Sequence, residues 1–394
     1  MATIRKRTWT NKGGEHEAWI INYKDQNGTW RIKTFKTRKA ADVARKKIEG
    51  DVDRGTHTPA YASPTVAEAA AAWIKQAESD GLERATVRQY WQHVAHIGPL
   101  LGRTKLSELS IARVKKFRND LTEAGRSAAM VGKIVSSLGS ILADAMESGT
   151  VSRNVVHEAA LLRRRHGNRA QRLAKRHDAK IAEGVDYPTK DELRRMLAVD
   201  SPRYHVLLDF VISTGLRASE LRALEWRHVD LDRVINGKPA PVIKVEQRAD
   251  RWNQISSPKS ASGRREIPID RDAVMMLKEW RLRCPRKAGE LVYVFPNQRG
   301  NVETLPSLHN RALLQIQRAA GLVAPDAKGP KYGMHAFRHV AISGWIEAGF
   351  SIKKVQTLAG HSTSAMTLDT YAHLWKSEAD DSAAMAVARE KLLG

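Results

Sequence analysis

Residues 1–60 alternate apolar and polar positions in the way that short β-strands do. The alternating segments are residues 4–9, 18–23 and 30–35. Asn27-Gly28 lies between the last two and is typical of a hairpin turn, because both central residues of a type I′ turn need positive φ. Thr37 then caps a helical pattern that runs from Arg38 to about Gly50. The pattern predicts a three-stranded sheet plus a helix.

A helical period replaces this alternation after a linker with Gly and Pro at residues 55–64. Thr65 and Glu68 have the spacing of a capping box, in which each side chain satisfies a backbone donor of the other. The helix that follows has one apolar face, formed by Val66, Ala69, Ala70, Trp73 and Ile74. Further helical patterns at 85–97, 111–124 and 128–148 are separated by glycines and by Gly98-Pro99. A helical domain over residues 65–160 is predicted.

The C-terminal half mixes the two periods. A second capping box, Thr189 with Glu192, opens a helix, and an apolar helix at 204–213 ends at Gly215. Strands are predicted at 242–245 and 265–269, and helices from Asp272 onward with loops at 285–307 and 323–334. We expect a mixed α+β domain over residues 187–394, with an amphipathic tail helix at 377–393. The predicted fold class is mainly α with small β-sheets.

The net positive charge of the chain indicates which class of partner it binds. The chain has 66 Lys+Arg and 43 Asp+Glu, a net charge of +23. Residues 1–60 and 153–180 each carry a net +7, and the second stretch overlaps a basic linker predicted at 161–186. Such a charge favours polyanions, above all nucleic acid, although a basic protein without that role would look similar.

Other classes of protein fit less well. No apolar run approaches the roughly 20 residues that span a bilayer, and Met1–Lys12 has no apolar signal region, so no membrane partner is expected. A single cysteine, Cys284, excludes an intramolecular disulfide and any site with two Cys ligands from one chain. A chain with a single cysteine is typical of a reducing compartment such as the cytoplasm.

Phosphodiester transfer needs a nucleophile, positive charge on the non-bridging oxygens and an acid for the leaving oxygen, and either a metal or arginines can supply the charge. The chain has no phosphate-binding loop of the Gly-x-x-x-x-Gly-Lys type and no His-Glu-x-x-His. His335 and His339 stand four apart, but Ala336 follows the first. The metal-dependent alternative that remains is a site formed by three carboxylates that are far apart in the sequence.

Residues that could carry out this transfer without a metal, with arginines supplying the positive charge, follow one another in a fixed order along the chain. Each of these residue types or short motifs is common by itself, and a tyrosine on an amphipathic helix is more often part of a core. Their occurrence in one series within a basic protein favours a metal-free strand-transfer site. The series is Arg217 with Glu220 three residues on, Lys259 in a hairpin, His335 with Arg338 on one helix face, His361 at a glycine turn, and Tyr371.

In this order the residues resemble the catalytic pattern of the tyrosine recombinase (phage integrase) family, which is Arg, Lys, His-x-x-Arg, His or Trp, then Tyr. The resemblance is strong over 189–376. Less specifically, residues 65–160 are similar to that family's helical core-binding domain, and residues 1–60 to the arm-binding domain of lambda-type integrases.

The resemblance implies a role for each residue of the series. Tyr371 would form a 3′-phosphotyrosyl bond with DNA, while Arg217 and Arg338 hold the phosphate. His335 would help to accept the tyrosine proton, and His361 would hydrogen-bond the phosphate. Lys259 would protonate the leaving 5′-oxygen, and Glu220 would support the site. No cofactor or metal would be needed.

The resemblance also implies partners and leaves alternatives open. It implies double-stranded DNA with core-type and arm-type sites, a homotetramer on DNA, a host DNA-bending protein and an excision factor. The setting would be the nucleoid in the cytoplasm of a bacterium or phage-infected host. A non-catalytic DNA-binding regulator and a type IB topoisomerase remain alternatives, and the DNA target stays open.

Overall fold

The computed structural model describes residues 2–11, 14–25, 28–53, 63–166, 181–375 and 389–390. The chain divides into two compact units, residues 1–168 and 169–394. The linker predicted at 55–64, except its last two residues, lies outside the described residues. So do residues 167–180 of the predicted basic linker, and all of the predicted tail helix apart from residues 389–390.

The first unit begins with the predicted three-stranded sheet. Its strands are antiparallel in the order β1-β2-β3, with Trp19 opposite both Lys6 and Phe35. The turn after β2 depends on Gly28, whose positive φ of 77° allows its N–H to donate to the Asp25 carbonyl at 2.9 Å. Ile21 and Tyr23 form a small core with α1. The elements are β1 (Thr3–Asn11), β2 (Gly14–Lys24), β3 (Trp30–Phe35) and α1 (Arg38–Asp53).

Five helices with their own hydrophobic core complete the first unit. Thr65 and Glu68 form the predicted capping box. The expected break at Gly98-Pro99 is wrong, because α3 runs through Pro99, where the buried side chains of Ile97 and Leu101 keep the last turn packed. The last helix also extends beyond residue 160. The helices are α2 (Val66–Ser79), α3 (Arg84–Leu101), α4 (Ile111–Glu123), α5 (Ala128–Glu147) and α6 (Val155–His166).

Helix α5 corrects one expectation about membranes. By length and composition this helix could cross a bilayer, whereas the sequence pattern predicts no such segment. It is the central helix of this core, and its apolar side chains pack against the neighbouring helices. A helix buried inside a protein core can have the same length and apolar composition as a membrane-spanning helix, and α5 is such a core helix.

The second unit packs helices around a small sheet of order β10-β7-β4. Both predicted strands form, pairing Arg265 with Val245 in an antiparallel register. Its helices are α7 (Lys190–Leu197), α8 (Pro202–Thr214), α9 (Ala218–Ala223), α10 (Arg271–Arg283), α11 (Leu305–Ser307), α12 (Leu314–Ala319), α13 (Met334–Glu347), α14 (Ile352–Ala359) and α15 (Ser364–Tyr371). A π-helical segment, Leu308–Leu313, joins α11 to α12. The strands are β4 (Val229–Asp230), β5 (Val234–Ile235), β6 (Lys238–Pro239), β7 (Val242–Val245), β8 (Arg248–Ala249), β9 (Ile255–Ser256) and β10 (Arg265–Pro268).

Two left-handed glycines end helices of this unit beside the predicted site residues. Gly215 follows α8 with φ 60°, as the sequence predicts, and Gly360 follows α14 with φ 63°. A side chain in this conformation is strained, so glycine is favoured at both positions. Each turn exposes a backbone carbonyl that an arginine of the site contacts.

Candidate active site

Arg217 and Glu220 are joined as the sequence suggests. Arg217 lies at the N-terminal cap of α9, and its Nη1 donates to Glu220 Oε1 at 2.8 Å. Its Nη2 donates to the Gly360 carbonyl at 2.9 Å, which ties the two glycine turns together. Only a third of the Arg217 side chain is exposed. The guanidinium is thus held in one orientation at the edge of the site.

Arg265, which the sequence analysis did not select, supplies a second cation to the same carboxylate. Its Nη2 donates to Glu220 Oε2 at 2.8 Å and its Nε to the Leu358 carbonyl at 2.7 Å. Burial alone would raise the pKa of Glu220, but the hydrogen bonds and charges of Arg265 and Arg217 lower it to about 2. A signal existed: Arg265 shares the core-facing side of its strand with Ile267, where charge is rare.

Arg338 lies deeper than the other arginines and contacts carbonyl groups. It is 1% exposed; Nη1 donates to the Gly215 carbonyl at 2.8 Å and Nη2 donates to that of Ala359. Burial and the nearby charge of Arg217 lower its pKa to about 9, so it stays cationic at neutral pH. The site therefore has three guanidinium groups close to one carboxylate, an excess of positive charge suited to a phosphate.

Two of the predicted histidines border this cluster. His335 precedes Arg338 by one turn of α13, and desolvation with the charges of Arg338 and Arg217 lowers its pKa, although its ring is partly exposed. Burial and the same arginines lower the pKa of His361 to about 4. The Nδ1 of His361 lies 2.9 Å from the buried Thr367 hydroxyl on α15. Both rings are neutral at pH 7.

The structure places Tyr371 at the end of α15 with its hydroxyl against a histidine. The side chain is 2% exposed, and Oη lies 2.5 Å from Nδ1 of His339. The family resemblance implies that His335 accepts the tyrosine proton, but the contact is with His339, one turn further along α13. The two imidazoles meet edge to face, with centroids 4.6 Å apart. Their spacing of four in the sequence suggests at most a shared metal and gives no sign of this contact with Tyr371.

Lys259 lies in the loop between β9 and β10, and its side chain is exposed. The loop reaches the cluster through its C-terminal end, where the Gly263 carbonyl accepts from Arg265 Nη1 at 3.0 Å. The structure thus brings together Arg217, Glu220, Arg338, His335, His361 and Tyr371, and places Lys259 on a loop anchored beside them.

This arrangement can bind one phosphate and present one hydroxyl to it. Arg217 and Arg338 offer N–H groups at the glycine turns, while Tyr371 stands at the end of the helix that also anchors His361. Burial raises the pKa of the Tyr371 phenol. The phenol is therefore protonated at rest, and it would need a base in order to act as a nucleophile.

Comparison with known proteins agrees with this geometry. Residues 186–378 match the phage integrase family. A XerC-like tyrosine recombinase of Caldanaerobacter subterraneus subsp. tengcongensis is 22% identical, covering 94% of this chain and 95% of that protein. The ICEBs1 integrase of Bacillus subtilis is 21% identical, covering 72% of each.

Solved structures share the fold. The Tn1549 transposon integrase, in complex with a circular intermediate DNA, superposes with a TM-score of 0.61 at 19% identity, covering 83% of this chain and 99% of that one. A lambda integrase tetramer bound to a Holliday junction gives 0.53 at 16%, covering 91% and 96%. Fold and site define a tyrosine recombinase. The chain belongs to the phage integrase family.

Proposed function

We propose that this protein is a site-specific recombinase that cuts and rejoins duplex DNA through a 3′-phosphotyrosyl intermediate. The observation that carries the proposal is that Arg217 and Arg338 are held at the Gly360 and Gly215 turns, while His339 and His361 contact the helix that ends at Tyr371. A covalent intermediate conserves the energy of the phosphodiester, so rejoining needs no cofactor.

Each member of the cluster has a part in this reaction. Arg217 and Arg338 bind the non-bridging oxygens and stabilise the charge that develops on them. His335 and His361 hydrogen-bond the phosphate, and Lys259 protonates the leaving 5′-oxygen. Glu220 acts indirectly, since its carboxylate fixes the guanidinium of Arg217.

A nicked suicide substrate tests the catalytic proposal. The nick lets the strand beyond the cut diffuse away, so the protein remains attached to DNA. The wild-type protein should form a covalent adduct that Tyr371→Phe does not form. Absence of an adduct from the wild type on its own recombination site would favour a non-catalytic DNA-binding regulator. Relaxation of plasmids without sequence preference would favour a type IB topoisomerase.

The proposed substrate is the DNA of a mobile element, such as a prophage or an integrative element. Two of the similar proteins support this choice, because one is named as the ICEBs1 integrase and the other as the integrase of the Tn1549 transposon. The lambda integrase tetramer supports a tetramer of this chain on two DNA sites. We further propose that the protein associates with the nucleoid and that its partners include a host DNA-bending protein and an excision factor.

The N-terminal sheet is proposed to bind a second, arm-type DNA site. One face packs on α1, and the strand register places basic, polar and large apolar side chains on the other face. Those residues are Arg5, Arg7, Trp9, Asn22, Lys24, Trp30 and Ile32. Trp30 and Ile32 are 61% and 66% exposed, and neighbouring large apolar side chains left open to solvent often mark a binding surface.

We assign the remaining parts of the chain accordingly: residues 65–160 to core-site binding, 161–186 to a basic linker along the phosphate backbone, and 187–394 to catalysis. Deleting residues 1–60 should spare cleavage at a core site and weaken recombination of full-length sites. Unchanged recombination would contradict an arm-binding role.

A further inference from the structure

The hydroxyl of Tyr371 has a partner that the roles above do not use. Its Oη lies 2.5 Å from Nδ1 of His339, and the tyrosine is 2% exposed. Water therefore has little access to this hydroxyl as the structure stands. Any proton that leaves Oη has His339 directly in its path.

The protonation states fix the direction of this hydrogen bond. Desolvation, together with His335 and Arg338, lowers the pKa of His339 to about 4, so its ring is neutral at pH 7. Burial raises the pKa of Tyr371, so the phenol is protonated. A phenol O–H is more acidic than a neutral imidazole N–H, so the favoured arrangement has Oη donating to the lone pair of Nδ1.

We propose that His339 is a catalytic base, which receives the proton of Tyr371 as the tyrosine attacks the scissile phosphorus. The proposal rests on the recombinase function above. In this step the Oη–P bond forms and the P–O5′ bond breaks. The phenol proton moves to Nδ1 of His339, and the departing 5′-oxygen takes a proton from Lys259. His335 is then left to contact the phosphate.

The charges around His339 link its basicity to the substrate. On its own helix His335 and Arg338 lower its pKa, while Asp186, from the segment before α7, raises it. Tyr371 faces it from α15, and Tyr187 lies near that phenol. A phosphate bound to Arg338 offsets that cation, so the pKa of His339 rises when DNA is in place. The base is thus weak without DNA and stronger with it.

A pH profile of His339→Asn tests the proposal, because the asparagine amide can keep a hydrogen bond near the position of Nδ1 but cannot take a proton. The rate of covalent adduct formation is measured in single turnover on the nicked substrate, from pH 5 to 10. We expect a loss of about 100-fold at pH 7. The loss should shrink as pH rises, since hydroxide replaces the missing base. His228→Asn, at a buried imidazole that is not among these site residues, should leave the profile unchanged.

The outcomes separate this proposal from the recombinase function. Parallel profiles for the wild type and His339→Asn, or no loss, would show that His339 only packs against the tyrosine. No adduct from the wild type would instead remove the recombinase function itself. If the asparagine variant does not fold, His339→Ala is tested with added imidazole. Restored adduct formation supports the base, and no restoration in a folded variant overturns it.

Discussion

The carboxylate of Glu220 offers the most quantitative test of the site. It is 4% exposed and accepts hydrogen bonds from Arg217 and Arg265. Its pKa falls from 4.5 to about 2 in the folded chain, which corresponds to about 3 kcal/mol of stability at neutral pH. Glu220→Gln keeps the shape and removes the charge, so it should lower the free energy of unfolding by about that amount.

The pH dependence has a defined sign. Because the folded pKa of Glu220 lies below its unfolded value, the contribution is fully present above pH 4.5 and is lost as pH falls toward 2. The difference between the wild type and Glu220→Gln should therefore fall from about 3 kcal/mol at pH 7 to about 1 kcal/mol at pH 3. Urea unfolding of the full chain, followed by tryptophan fluorescence at both pH values, measures it.

An exposed ion pair provides the control. Glu266 accepts from Arg233 at 2.7 Å with half of its side chain exposed, so Glu266→Gln should cost less than about 1 kcal/mol. The buried-network argument is refuted if Glu220→Gln costs no more than this control at pH 7. It is equally refuted if its cost is the same at pH 3. Glu220→Gln should also slow cleavage, because Arg217 loses its carboxylate partner.

Three further results are expected. Gly360→Ala should slow cleavage and destabilise more than Gly349→Ala, compared by thermal melting and adduct assays; both have positive φ, but only at Gly360 would a Cβ meet Arg265, at 2.9 Å from Nη1. Sulfate should raise the melting temperature more than chloride at equal ionic strength, and Arg338→Met should reduce that difference, since sulfate binds the unneutralised guanidinium groups. Trp30→Ser should weaken binding of arm-site DNA in a mobility-shift assay with no more than about 0.5 kcal/mol lost in stability, because the side chain is exposed.

The elements that could be predicted from sequence are those whose signal is local. The capping boxes at Thr65 and Thr189, the left-handed Gly215 and the alternation of β2 and β3 each depend on neighbouring residues, and each forms as expected. The break predicted at Pro99 does not occur, because packing of the surrounding helix outweighs the local preference against proline.

The contacts of the site depended on the fold and were harder to predict. Arg265 meets Glu220 across 45 positions, and His339 meets Tyr371 across 32, so no spacing rule relates them. His339 shared a helix face with His335, but only the placement of α15 decides which imidazole reaches the phenol. The order of residues in the family pattern identified the other members of the site, but of their contacts only the pairing of Arg217 with Glu220 followed from spacing.

The hydrophobic surroundings of Tyr371 have a consequence for motion. The tyrosine packs in a small cluster with Ile342, Ile346, Val355 and Ala359, separate from the large core of its unit. A small cluster opens at a lower free energy than a main core, so we expect the end of α15 that bears Tyr371 to loosen before the sheet and the arginines unfold. If Tyr371 is the nucleophile proposed above, this packing lets its helix shift at a lower cost than unfolding of the arginine cluster that would hold the phosphate.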